Sequence, residues 1–474
     1  MTDVERGLKT GALGAFGAAA LGSVMMAPAL GIYANLGLIA AAAGNVAPVV
    51  FLVALLCTLP TAISYALIAR EIPSAGSAYT WLSRAVNPFV GAWMGLLLVA
   101  MYLFCVILQP ILFGLFFNEL LVSLWHVQTG YGTWMAGVVI STGIVALLAY
   151  PGIEIAARGS LVLTIVEATV VFALGCTLLI IARSHGNLQI APFSPAYSLH
   201  GGAGFFRGLV FGLLSFVGFG VIATAAEETH SPRSIIPTAM VLACFILGLF
   251  WAFTSWGFCL VIPPEAWQEY LGKGINPVAV IAREYWSSAS LLVIVTAMTA
   301  VLGVYLASVV GCARVAFAMG RDGALPPILA RLHSKYRVPW NAQHLAFGVT
   351  LVVAAVWGKW LGTYKAYDWW GNAVVFFAMI SNIFVNFGCT AYFYRFKKDE
   401  FSRLRHGLVP LIGSITSFLP LYYSFGPDLW KAGWKQGVSI VVFCACGVIG
   451  SAVYALRLLY RKPGVLKRSS VSPV

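Results

Sequence analysis

The sequence predicts an all-α integral membrane protein of twelve transmembrane helices. Five of them are repeated in inverted orientation by the next five, and helices one and six are broken at mid-membrane. Three observations carry this expectation. The 474 residues are 60% hydrophobic and 9% charged, with a mean hydropathy of +0.88, whereas soluble domains carry roughly 25% charged residues. Lysine and arginine gather at alternate ends of the apolar segments. Two of those segments also carry glycine at matching places near their middles.

Spans are expected at Leu8–Ala34, Val46–Ala69, Phe89–Leu124, Trp134–Tyr150, Arg158–Ala182, Gly204–Ala226, Ile235–Ile262, Ser288–Met319, Trp340–Gly358, Ala366–Arg395, Leu408–Phe425 and Trp434–Tyr460. Each approaches or exceeds the roughly 20 residues that cross a bilayer; the third, eighth and tenth are long enough to tilt or protrude. With both termini cytosolic, the cytosolic segments hold 21 of the 29 lysines and arginines. The outer segments hold the other 8: Arg183, Arg207, Lys273, Arg283, Lys359, Lys365, Lys431 and Lys435. The positive-inside rule therefore selects this orientation in the cytoplasmic membrane. The whole chain reads as one transporter domain, with residues 8–182 and 204–395 as the two inverted repeats and 408–460 outside them.

The first glycine-broken segment reads Gly17-Ala18-Ala19-Ala20-Leu21-Gly22-Ser23-Val24-Met25-Met26-Ala27-Pro28; the second reads Gly212-Leu213-Leu214-Ser215-Phe216-Val217-Gly218-Phe219-Gly220. A helix broken inside hydrocarbon frees N–H and C=O groups that lipid cannot satisfy, so the break must line a cavity. Paired breaks in two halves of a chain point to a transporter's substrate site. Five spans separate these two, and an odd repeat length inverts the second copy. Helix N-termini present N–H groups and partial positive charge, and C-termini present carbonyls. Their convergence suits a small solute with an anionic and a cationic end, such as an amino acid. Other glycines, in Gly91-x-x-x-Gly95 and Gly208-x-x-x-Gly212, fit close helix packing instead.

Beyond the second break the chain continues Ala223-Thr224-Ala225-Ala226-Glu227-Glu228-Thr229-His230-Ser231-Pro232-Arg233-Ser234-Ile235-Ile236-Pro237. With Gly218-Phe219, this resembles the signature of the amino acid–polyamine–organocation (APC) permeases. Ala69-Arg70-Glu71-Ile72-Pro73-Ser74-Ala75-Gly76 resembles that family's loop after span two, Arg314 to Pro326 its loop after span eight, and Tyr102 its span-three tyrosine. The overall pattern is nearest to the putrescine and amine importers. The resemblance implies a LeuT-type fold, alternating access and proton coupling. It places the backbone of Gly22, Ser23 and Val24, with Met25, beside the substrate's polar end. Tyr102, Phe216, Gly218, Phe219 and Gly220 line the other side, Phe219 as a candidate gate. Two departures stand out. Val24 replaces a customary glycine, which stiffens the cradle. Gly220 replaces a customary acid, which weakens the case for polyamines and is expected to leave room for a larger side chain.

Glu167 is the one acid placed deep in a span. It lies nine residues beyond Arg158, or ~13 Å at 1.5 Å per residue, against a hydrocarbon half-thickness of about 15 Å. A charge there is costly and functional by default. Glu167 is therefore expected to carry a coupling proton or to face a cationic substrate. Ser308 in span eight sits at comparable depth and is paired with it in this reading. Glu119 is expected at the outer mouth in water. Glu227 and Glu228 are expected at the cytosolic end, either as a gate pair with Arg70 or Arg84 or as plain interfacial charges. Trp369 and Trp370, beside Asp368, are expected as interfacial anchors or parts of an outer gate.

No metal, organic cofactor or disulfide is expected: the nine cysteines lie in apolar segments without Cys-x-x-Cys pairs. Nucleic-acid binding is disfavoured, because the net charge of +13 follows the membrane pattern. An intramembrane enzyme is disfavoured for want of a nucleophile–base pair or a metal-ligand motif. The expected partners are the lipid bilayer and a small amino acid or amine; oligomeric state is not legible. Two alternatives stay open: a polyamine or organic cation antiporter, and a non-transporting sensor of the same fold.

Overall fold

The computed structural model describes residues 24–150, 153–273, 275–424 and 433–461, with side chains for all of these but 153–161, 423–424 and 436. Gly22 and Ser23 of the first break lie outside the described residues, as does the side chain of Arg158.

Helices dominate. In chain order they are α1 (Val24–Ala43), α2 (Ala47–Glu71), α3 (Ala78–Ala85), α4 (Pro88–Trp125), α5 (Tyr131–Ala149), α6 (Ile153–Ser184), α7 (Gly201–Phe216), α8 (Val221–Thr224), α9 (Pro232–Val261), α10 (Pro264–Gly272), α11 (Pro277–Trp286), α12 (Ser290–Arg321), α13 (Trp340–Leu361), α14 (Thr363–Phe396), α15 (Val409–Ser424) and α16 (Ser439–Arg461). Among the described residues eleven segments are long and apolar enough to cross a bilayer, where the sequence expects twelve. The difference lies at Leu408–Phe425. There α15 has 16 residues and follows a π-helical turn, Arg403–Leu408. The eighth expected span also differs: α11 and α12 form one 45-residue segment, Pro277–Arg321, jointed at Ser287, where φ is 49°.

Burial sorts the helices. α1 is 94% buried and α16 only 17%, which puts α1 at the centre and α16 at the lipid-facing rim. α2 packs along α9, and α4 along α12 and α14. Glycine sets several of these distances. A Cβ on Gly91 would lie 2.5 Å from the Ser83 amide, and one on Gly208 would lie 3.0 Å from Ala43 Cβ. The Leu199 amide donates to the Ala43 carbonyl at 2.9 Å, so α7 begins where α1 ends and runs the opposite way.

α1 is not a continuous α-helix. It is interrupted at Ala27 (φ 38°, ψ 97°), restarts at Pro28, and widens into a π-helical stretch over Gly31–Leu36. Other elements supply donors to its freed carbonyls. Trp251 Nε1 donates to Pro28 O at 2.8 Å, Asn276 Nδ2 to Tyr33 O at 2.7 Å, and Gln268 Nε2 to Ala41 O at 2.9 Å. Gly31 makes the first bond sterically possible: a Cβ there would lie 2.3 Å from Trp251 Nε1. Replacing Trp251 by Phe keeps the ring and strands a buried carbonyl. Trp251→Phe should therefore lower stability by about 1–3 kcal/mol, seen as a lower melting temperature of the detergent-solubilised protein.

Candidate functional site

The second interruption falls between α7 and α8, over Val217–Gly220. Gly218 has φ +120°, a conformation that L side chains rarely adopt, and a Cβ there would lie 2.2 Å from Met25 Cγ. The breaks of α1 and α7–α8 therefore touch. The amides of Val217, Phe219 and Val221 bond the carbonyls of Leu214, Phe216 and Gly218. Those of Gly218 and Gly220 find no backbone acceptor among the described residues.

Three cavities follow one another from the Ala43 end inward. The first, about 360 Å³, has Tyr33, Asn118, Glu119, Asn276, Arg283 and Tyr367 among its lining residues. Beneath it lies a chamber of about 50 Å³ lined on the α1 side by Met25, Ala27, Gly31 and Asn35, and closed by Gln109, Ser215 and Tyr367. A third, of about 30 Å³, is lined by Tyr65, Tyr102, Phe216, Gly218, Phe219 and Gly220. Tyr367 lines both the first and the second. Its hydroxyl donates to Asn35 Oδ1 at 3.3 Å, and Asn35 Nδ2 donates to Ser215 Oγ at 2.8 Å. This chain of hydrogen bonds joins α14, α1 and α7 across the floor of the larger cavity.

Met25, Tyr102, Phe216, Gly218, Phe219 and Gly220 thus line the two inner cavities. Phe219 packs edge-on against Tyr65, with ring centroids 5.0 Å apart, and Phe216 edge-on against Trp251 at 5.0 Å. Val24 lines none of the three; it packs against α12, where a Cβ on Gly303 would lie 3.1 Å from it. The space expected at Gly220 is taken: a Cβ there would meet the Tyr65 ring at 3.1 Å. The bulk of a longer residue is supplied by Tyr65 instead.

Glu167 is 3% exposed and hydrogen-bonds with Thr299 of α12. It lines none of the three cavities. Ser308 is fully buried. Its hydroxyl donates to Val304 O at 2.7 Å and lies 3.5 Å from Met25 Sδ. Thr299 and Ser308 are nine residues apart, or ~13 Å along a helix, so α12 carries Glu167 and Ser308 at different levels and they form no pair. Glu119 is not left in water. Its side chain is 14% exposed and lies 3.5 Å from Arg283. Trp369 and Trp370 are buried too, packed with Trp357 and Phe443 in an aromatic cluster rather than anchored at an interface or gating a cavity.

At the Arg321 end ion pairs tie the described elements together. Glu228 pairs with Arg314, both nearly inaccessible, and Glu227 lies 3.5 Å from Arg321 while accepting the Ala75 amide at 3.0 Å. Tyr79 donates to Asp322 Oδ2 at 2.8 Å. These acids meet α12, not Arg70 or Arg84 as expected. Burial pushes the Glu228 carboxyl above its ordinary range, and Arg314 pulls it back. Burial likewise raises Asp322, against the Tyr79 hydrogen bond and Arg321. Arg314, expected in a cytosolic loop, lies five residues inside the expected eighth span. Asn35, Gln109, Ser215 and Tyr367 carry no charge and are not among the residues expected from sequence. Neutral polar residues within apolar runs were the available signal.

A membrane-spanning helical bundle interrupted in two antiparallel helices, with small polar cavities where the interruptions meet, defines a membrane transport protein. The chain belongs to the amino acid permease family, within the APC superfamily: the family described as amino acid permease matches residues 19–425. It is 24% identical over 413 residues to the low-affinity putrescine importer PlaP of Escherichia coli (strain K12), covering 84% of each chain. It is 28% identical over 357 residues to the branched-chain amino acid permease BcaP of Bacillus subtilis (strain 168), covering 72% of this chain and 73% of that one. In fold it is similar to the crystal structure of a manganese transporter from Eremococcus coleocola, with a TM-score of 0.52, 11% identity, and coverage of 96% and 95% of the two chains.

Two outcomes test this geometry. Gly218→Ala combines backbone strain of about 1–3 kcal/mol with the Met25 clash. Solute-induced thermal stabilisation should be lost in a variant that still inserts, and adding Met25→Ala should restore only part of it, because the strained φ persists. Glu228→Gln leaves Arg314 buried without its counter-charge, at a cost of about 3–5 kcal/mol. The double variant Glu228→Gln with Arg314→Met should recover most of the lost melting temperature.

Proposed function

We propose that this chain is a secondary active transporter that moves a small amino acid or organic amine by alternating access, coupled to protons through Glu167. The observation that carries the reading is the meeting of the two breaks. Gly218 lies against Met25, and each break lines a small cavity inside the bundle. Such a place holds a small polar solute away from water and lipid together.

Alternating access is supported by the asymmetry of the two ends. The Ala43 end opens into a cavity of about 360 Å³, while the Arg321 end is closed by ion pairs and the Ala75–Glu227 hydrogen bond. The bias of lysine and arginine puts the closed end and both termini in the cytosol, so this is an outward-facing arrangement. The antiparallel course of α1 and α7, five spans apart, supports the five-plus-five inverted repeat of a LeuT-type fold, with a twelfth span through α15. The putrescine and branched-chain amino acid relatives support a substrate among small amines and amino acids. Glu167 stands apart from the cavities, which favours a proton carrier over a substrate contact. Ser308, against Met25, serves the first break.

Uptake of radiolabelled putrescine and leucine into proteoliposomes, with and without an inward proton gradient, tests the reading. Accumulation of at least one solute, driven by the gradient, is expected. Glu167→Gln should abolish gradient-driven accumulation while leaving counterflow exchange measurable. Undiminished accumulation with unchanged pH dependence would remove Glu167 from the mechanism. Binding without flux would turn the reading toward a sensor.

A further inference from the structure

The deep chamber holds four buried polar side chains, and three of them satisfy one another. The Tyr367 hydroxyl donates to Asn35 Oδ1, Asn35 Nδ2 donates to Ser215 Oγ, and Ser215 Oγ donates to Phe211 O at 3.2 Å. The fourth, Gln109 of α4, lines the same chamber and is 6% exposed. Its Oε1 is buried and has no hydrogen-bond partner among the described residues. A buried acceptor left unmet is costly, and native chains rarely keep one without a use. The neighbouring lining is of no help: Met25, Met26, Leu108, Leu214 and Val304 have no donor to give. Among the described residues no charged side chain lines the chamber, so none of them attracts a full charge in place of a hydrogen bond.

We propose that Gln109 is a specificity-determining subsite, whose Oε1 accepts a hydrogen bond from a donor nitrogen at the distal end of the transported solute. That nitrogen belongs to a primary amine or a carboxamide. The other end of the solute lies toward the α7–α8 break, which borders the chamber through Leu214, Ser215 and Val217; the distal end reaches the α4 wall. A purely aliphatic side chain would bury Oε1 permanently unpaired, so solutes of the branched-chain type are the disfavoured class. The inference rests on the transporter reading above and deepens it.

Matched solute pairs test it. Asparagine and leucine have nearly the same shape but differ by a donor; putrescine and pentylamine differ likewise at one end. Affinities are measured on the purified full-length protein by thermal shift and by competition for uptake in proteoliposomes. In the wild type the donor-bearing member of at least one pair should bind about tenfold more tightly, the worth of one hydrogen bond to a buried acceptor. Gln109→Leu should erase that preference, and Gln109→Glu should retain it. Because the acceptor is unpaired without solute, Gln109→Leu should melt no lower than the wild type in the absence of solute. A clear drop in unliganded melting temperature would make the amide structural and overturn the proposal. So would a wild type that prefers the aliphatic members, or a preference that survives Gln109→Leu. If aliphatic members are taken up without discrimination, the subsite fails and the transporter stands. If none of the four binds or is taken up, both fall together.

Discussion

The constraint on which this structure turns is the unsatisfied backbone of α1. Hydrocarbon offers no partner for a freed carbonyl or amide, so every interruption inside the bundle has to be provided for by another element. The α1 carbonyls are met by Trp251 from α9, Asn276 at the start of α11 and Gln268 from α10. That requirement explains the burial of α1 at the centre: only there do so many elements reach it. It also explains Gly31, whose missing side chain is where the Trp251 indole sits. On the α7–α8 side the provision is incomplete. Among the described residues the amides of Gly218 and Gly220 find no backbone acceptor, the kind of incompleteness from which a binding site can be built.

The two ends of the bundle are closed by different chemistry. At the Ala43 end the barrier is thin, a few hydrogen bonds through Tyr367, Asn35 and Ser215, each worth little on its own. At the Arg321 end it is ionic and dry. A buried ion pair gains little over a hydrophobic contact but is costly to break by removing one partner. It separates two well-defined states, paired and hydrated, and discourages intermediates. Such a contact suits a barrier that has to open completely or not at all.

The sequence made the framework legible, because span length, apolar content and the placement of lysine and arginine are imposed by the bilayer itself. The break at Val217–Gly220 was legible for the same reason, glycine being the residue that tolerates φ +120°. What escaped was pairwise. Gly220 stands out in sequence as a lost acid, but the Tyr65 ring beside it comes from a distant helix. Glu227 and Glu228 are visible too, but their partners Arg314 and Arg321 are brought across the bundle by α12. Ser308 counts as level with Glu167 only because depth counted from a helix end ignores how far each helix overshoots. The α12 helix has 32 residues, more than a bilayer requires, and its register against α6 follows from packing alone. Gln109 was invisible for another reason. An amide in an apolar run carries no charge, and its importance lies in a partner it lacks.

These contacts share one helix. Along its length α12 carries Thr299 against Glu167, Ser308 against Met25, Arg314 against Glu228 and Arg321 against Glu227. Glu167 does not reach the chamber, so a proton gained or lost there acts on substrate only through an element that touches both. Two are available. α1 packs against α6 and α12, but it is interrupted at Ala27 and transmits poorly along its axis. α12 is continuous from Ser290 to Arg321, so a small displacement at Thr299 moves Arg314 and Arg321 as well. A rigid element with two discrete arrangements is the physical requirement for coupling between distant sites. On the proton coupling proposed above, α12 is the continuous element that touches both sites. A change at Glu167 would bias the ionic seal directly and reach the solute through the Ser308–Met25 contact, which puts ion, substrate and barrier on one lever.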